Sequence, residues 1–125
     1  ADLFQDNIFF KKDKISGVID FYFSCKDFIA YELALAINAW CFNFKDGFQS
    51  KNYTSLIEGF KEYSSLNQSE IKSLNVLLRG AAVRILVTRL HDMIYHEKDT
   101  LVIPKNPKEY LQILEWHQEN PEIEL

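Results

Sequence analysis

Between Lys26 and Phe44 the chain reads KDFIAYELALAINAWCFNF, with apolar residues running almost the whole way round a helical wheel. A surface helix keeps one apolar stripe, so a helix of this kind has to be enclosed by other elements. The pattern predicts a helix over about 27–42, with Asp27 as its cap and Asn43, Asp46 and Gly47 ending it. Glu32 and Asn38 are its polar exceptions, and each needs a hydrogen-bond partner once buried, expected from a neighbouring loop. At 125 residues, 47% hydrophobic and 14% aromatic, the chain can build one core around that helix.

What surrounds it is legible from spacing. Tyr53, Leu56, Ile57 and Phe60 recur at helical intervals and predict an amphipathic helix over about 51–63. Asn67 or Ser69 ahead of Glu70 is a capping signal, and the helical pattern it opens continues to His96. Gly80, beside Ala81 and Ala82, is expected to let the first helix approach closely. Pro107 opens a last helix, and the tail PEIEL is expected to fray. Ahead of all this, NIFFKKDKISGVIDF reads as two short strands, about 7–10 and 16–22, around a polar turn. The predicted class is α+β and mostly helical, with one small β-hairpin in residues 1–22 and a helical subdomain over 23–125.

Several function classes fall away. The net charge is −4 and the lysines and arginines are scattered, so no basic stripe predicts a nucleic-acid partner. No apolar run reaches the roughly 18 residues of a membrane span, and a soluble, cytoplasmic protein is expected. Cys25 and Cys41 lack a CxxC spacing and are expected as reduced, buried thiols. His91, His96 and His117 show no metal-site spacing and are expected on helix surfaces. Trp40, Phe42, Phe44 and Phe48 are expected in the core and as loop anchors rather than in a pocket.

The chemistry lies at the front. Asp2, Asn7 and Asp20 are a carboxylate, an amide five residues on and a second carboxylate thirteen later, the last two on a hairpin that can bring them together. Phosphoryl transfer to an alcohol asks for a positioned nucleophile and neutralised phosphate charge. Asp2 suits the proton of the attacking hydroxyl, while Asn7 and Asp20 are hard oxygen donors suited to Mg²⁺. The four glycines, at 17, 47, 59 and 80, form no phosphate-cradling loop. A chain that opens inside the motif, without an initiator methionine, is expected to have its nucleotide-binding lobe upstream of Ala1 and not to turn over ATP alone.

ADLFQDNIFF resembles the catalytic loop of aminoglycoside-phosphotransferase-like kinases, and IDFYFSCKDFIAYELALAINAWCF is similar to the matching stretch of the bacterial homoserine kinases within that superfamily. NVLLRGAAVRILVTRLHD and KNPKEYLQILEWH resemble the C-terminal helices of the same enzymes. The resemblance implies the partial C-terminal lobe of a protein-kinase-like fold, with Asp2 as catalytic base and Asn7 and Asp20 as magnesium ligands. ATP is the implied donor and L-homoserine the implied acceptor; an aminoglycoside, choline or a sugar is the alternative, and a non-catalytic piece acting by association a further one. Phe4 stands where protein kinases carry a phosphate-contacting lysine, which argues against a protein substrate. A zwitterionic acceptor calls for an anion beside its ammonium and a cation beside its carboxylate, for which Asp6 and Arg84 or Arg89 are the candidates. An apolar face toward the missing lobe is expected to drive self-association or pairing with it.

Overall fold

The structure is a computed structural model that describes residues 3–96, 103–123 and 125. In chain order its elements are β1 (Ile8–Lys11), β2 (Lys14–Val18), α1 (Ile29–Trp40), β3 (Phe42–Asn43), β4 (Gly47–Phe48), α2 (Ser50–Tyr63), α3 (Gln68–Ile94) and α4 (Lys108–Glu119). The described residues are therefore mostly helical, as expected, with two antiparallel hairpins where the sequence predicted one. The second hairpin, Phe42 opposite Phe48, is too short for periodicity to register, and Gly47, which closes its turn opposite Asn43, has a φ of 71° that suits glycine.

α1 is enclosed as its pattern demands. Ala30, Leu33, Ala34, Ile37 and Asn38 are buried, and the helix packs against α3, α2 and β3. It begins at Ile29, two residues later than predicted, and its cap position is Phe28 and not Asp27, whose side chain accepts from the Phe28 N–H at 2.8 Å without reaching the first turn. α3 starts as its sequence signal says: the Asn67 side chain accepts from the Ser69 and Glu70 N–H groups, and the Glu70 carboxylate accepts in return from the Asn67 N–H. At α4, Pro107 is the cap itself, and the Asn106 side chain accepts from the Lys108 N–H at 3.0 Å.

α3 carries apolar residues on opposite sides. Leu74, Leu78, Ala81, Ala82 and Ile85 are buried against α1 and α4, while Val76, Val83, Val87 and Ile94 are exposed. Gly80 falls on the outer side, where an added Cβ meets nothing within 4 Å. The close approach to α1 expected of Gly80 is thus made by its fully buried neighbours Ala81 and Ala82.

Four other expectations are corrected. His117 is wholly buried, because position 117 of α4 faces the core and its Nε2 reaches Asn38 Oδ1 at 2.8 Å. Asn38 in turn donates to the Leu78 carbonyl at 2.9 Å, so its partners come from two helices and not from a loop. Since a carbonyl only accepts, the Asn38 amide nitrogen points to Leu78, and His117 donates through Nε2. Cys25 is exposed in the loop before α1, whereas Cys41 is buried, which pushes its thiol up to about 11. The tail does not simply fray: Ile123 and Leu125 pack against the core built on α1.

Burial lowers the His117 pKa from 6.5 to about 4, with the Arg79 charge adding to the effect. Between those values the unfolded chain binds the proton that the folded chain refuses, so stability is full above about pH 6.5 and falls toward pH 4. Urea unfolding should lose roughly 3 kcal/mol over that window from this residue, and His117→Gln should flatten the slope. Gly80→Ala should raise stability by about 0.5–1 kcal/mol; a loss would mean that the glycine is packed after all.

Candidate active site

Ile8, Phe9 and Phe10 face Ile15 and Val18 in a hairpin built from residue types that favour strands. Its loop is Lys12–Asp13, with Lys12 left-handed at φ 56°. Phe9 pairs with Gly17 but Phe10 with Ile15, so Ser16 is an extra residue, and its hydroxyl donates to the Phe9 carbonyl at 3.2 Å. The ladder ends with Ile8 opposite Val18, and one more bond, Ile19 N–H to the Asn7 carbonyl at 3.0 Å, continues it past the strands. That register places Asn7 beside Ile19 and next to Asp20.

The second strand, predicted to run to residue 22, stops at Val18. Asp20 is left-handed, at φ 63° and ψ 58°, and turns the chain into a 3-10 segment, Phe21–Phe23. Aspartate enters this region more readily than most residues, still at a cost of about 1 kcal/mol or more. Strain of that kind is held by surrounding structure and concentrates at functional sites.

The stretch before Asn7 is tied down by side chains from elsewhere. The Trp40 indole N–H donates to the Leu3 carbonyl at 2.6 Å, and Gln5 donates to the Ala39 carbonyl at 3.3 Å. Each bond also settles a group that a helix end or a loop leaves open. Phe4 packs on the cluster of Ala82, Ile85, Tyr110 and Ile113. Lys105 donates to Asp6 at 2.5 Å, and this bond, working against partial burial, holds the Asp6 carboxyl below its ordinary range.

Two cavities flank this stretch. One of about 560 Å³ is lined by Asn7 and Asp20 together with Asp6, Asp92, Arg89 and Lys105. The other, about 1010 Å³, runs along α4 past Phe42, Phe44, Trp116 and Glu109. Phe4, Asp6, Arg89 and Lys105 line both. Phe42 and Phe48 serve as core, their rings centred 5.2 Å and 4.3 Å from that of Trp116, while Phe42 and Phe44 also line the larger cavity. Asp2 lies outside the described residues.

Residues 1–61 match the model of the phosphotransferase enzyme family. Over those residues the chain is similar to that family. It is 47% identical over 118 residues to the homoserine kinase of Parvibaculum lavamentivorans and 48% identical over 121 residues to that of Allorhizobium ampelinum. The homoserine kinase of Agrobacterium fabrum is 42% identical over 118 residues. Each match covers 94% of this chain and 37% of the relative, so the chain spans little more than a third of those proteins.

A phosphotransferase needs a place for its divalent ion. Among the described residues no group of three or more His, Cys, Asp or Glu could hold a metal. Mg²⁺ in phosphoryl transfer takes one or two protein side chains and completes its shell with phosphate oxygens and water, so Asn7 and Asp20 on one cavity wall fit it by number and by chemistry. No helix of the described residues is long and apolar enough to cross a membrane.

The two arginines part company. Arg84 is exposed on α3 and lines neither cavity. Arg89 is buried under Tyr110, 4.6 Å from the ring centre, with its NH1 on the Glu109 carboxylate at 2.6 Å and on the Asn106 carbonyl at 3.0 Å. Sequence reasoning passed over Trp40 as a donor, and Lys105 and Glu109 altogether, because their contacts reach 37, 99 and 20 residues along the chain. Arg89→Met leaves Glu109 and the Asn106 carbonyl without their cation and should cost about 2–3 kcal/mol in chemical denaturation. Arg84→Met should stay within about 0.5 kcal/mol.

Proposed function

We propose that this chain carries the catalytic loop and metal hairpin of an ATP-dependent kinase whose acceptor is L-homoserine, giving O-phospho-L-homoserine for threonine biosynthesis. The observation that carries the reading is that Asn7, the last residue of the DLFQDN stretch, and Asp20, on the far side of the hairpin, line one cavity. The naming of relatives at 42–48% identity as homoserine kinases supports the choice of acceptor. In fold terms the chain is then part of the C-terminal lobe of a protein-kinase-like enzyme.

The residues divide the work simply. The acceptor hydroxyl oxygen attacks the γ-phosphorus as the bond to ADP breaks, and Asp2 takes the hydroxyl proton. Asn7 and Asp20 would hold Mg²⁺, which would neutralise charge on the phosphate oxygens. The left-handed backbone of Asp20 and the hairpin register set the backbone positions from which those two side chains project, so less ordering is left to do at the moment of reaction. Asp6 and Arg89, at the junction of the two cavities, lie where the acceptor would sit; Arg84 would serve only from outside them. The exposed Phe9, Phe10, Ile15, Phe21 and Phe28 give the rest of a longer protein, or a second copy, an apolar surface to cover.

In an ATP-consumption assay of the whole protein, L-homoserine should be turned over in preference to choline, a sugar or an aminoglycoside. Asp20→Asn should cut kcat by about 10³-fold and Asp2→Asn by about 10²–10⁴-fold. Preferred turnover of another alcohol would keep the phosphotransferase and overturn the acceptor. Full activity in Asp20→Asn would overturn the metal site.

A further inference from the structure

An acceptor that must reach the Asn7 and Asp20 wall from the larger cavity passes the side chains common to both spaces. Among the described residues two of those are cations, Arg89 and Lys105. Arg89 is committed: it is 9% exposed, and its NH1 already serves Glu109 and the Asn106 carbonyl. Lys45 lines the larger cavity alone, on the turn between β3 and β4. Lys105 differs from both. Its side chain is 53% exposed, its ammonium lies 5.4 Å from the centre of the Phe4 ring, and Asp6 takes one of its N–H donors. An ammonium has three donors, so a lysine held by one carboxylate can still bind a second.

We propose that Lys105 is a specificity residue of the acceptor site, binding the carboxylate of an amino-acid acceptor while Asp6 holds the Lys105 ammonium in place. The assignment rests on the kinase reading above and extends it to a residue on the loop before α4. It also gives Asp6 a role other than meeting the acceptor's own ammonium: the Asp6 carboxylate faces Lys105, and a second cation there would compete for it. Charge placement favours the carboxylate over a nucleotide phosphate as the bound anion. Phosphates beside Asn7 and Asp20 would have Mg²⁺ to neutralise them, whereas a carboxylate entering from the α4 side has none.

The test compares L-homoserine with 3-amino-1-propanol, the same amino alcohol without its carboxylate, on the whole protein. In Lys105→Met the ratio of kcat/KM for the two acceptors should fall about 10- to 100-fold, the size expected for one charge-assisted hydrogen bond. Lys105→Arg should recover part of that ratio, and a thermal melt matching wild type should separate the effect from misfolding, as an exposed lysine allows. An unchanged ratio in Lys105→Met overturns the assignment. So does a rise in the KM for ATP with the acceptor ratio preserved, which would place Lys105 on phosphate. A wild-type protein inactive on L-homoserine would instead overturn the choice of acceptor beneath it, an outcome read before any variant is made.

Discussion

One buried amide joins the three helices on which the candidate site stands. Asn38 of α1 donates to the Leu78 carbonyl of α3 and accepts from His117 of α4, with all three residues 2% exposed or less. A polar group at that depth costs a few kcal/mol if left unmatched, so the three helices are favoured in the one arrangement that satisfies it. The next two residues along α1 are Ala39 and Trp40, whose carbonyl and indole hold Gln5 and Leu3. The path from the core to the DLFQDN stretch is thus three residues long. Any rotation of α1 that broke the Asn38 bonds would also swing the groups that position the loop.

From that anchored loop the geometry passes to the hairpin. Antiparallel pairing with a bulge at Ser16 sets the register, the register puts Asn7 beside Ile19, and a left-handed Asp20 completes the wall. The charges at the junction of the cavities are arranged in two pairs, Asp6 with Lys105 and Glu109 with Arg89. They differ in what they are for. The Arg89 pair sits under Tyr110 and ties α3 to the start of α4, a structural link between helices. The Lys105 pair is half exposed and is worth little as a surface ion pair, which leaves its ammonium available to a ligand.

Much of this was legible beforehand, for identifiable reasons. The enclosed α1, the Asn67 cap, α2 and the first hairpin all rest on local pattern, and local pattern is what a sequence displays. The DLFQDN stretch was read as phosphoryl-transfer chemistry from residue types and spacing, and it falls within the residues that match the phosphotransferase family. What failed was what depends on contacts between distant segments. α3 is apolar on two sides, so no periodicity says which side is core, and Gly80 was placed on the wrong one. Position 117 looked like any helical histidine until Asn38, 79 residues earlier, was found against it. The strand expected to end in Asp20 stops at Val18, since a left-handed aspartate leaves no mark on hydrophobic alternation. Lys105 drew no notice because the residue it meets is 99 positions away.

The central claim is that hairpin pairing brings the Asn7 amide and the Asp20 carboxylate onto one divalent ion. A crystal structure of the whole protein with Mn²⁺ in place of Mg²⁺ and a non-hydrolysable ATP analogue, read by anomalous scattering, tests it most directly. The account predicts a manganese peak bonded to oxygens of both side chains and to the nucleotide phosphates. A peak held by other residues, with Asn7 or Asp20 turned away from it, would contradict the account.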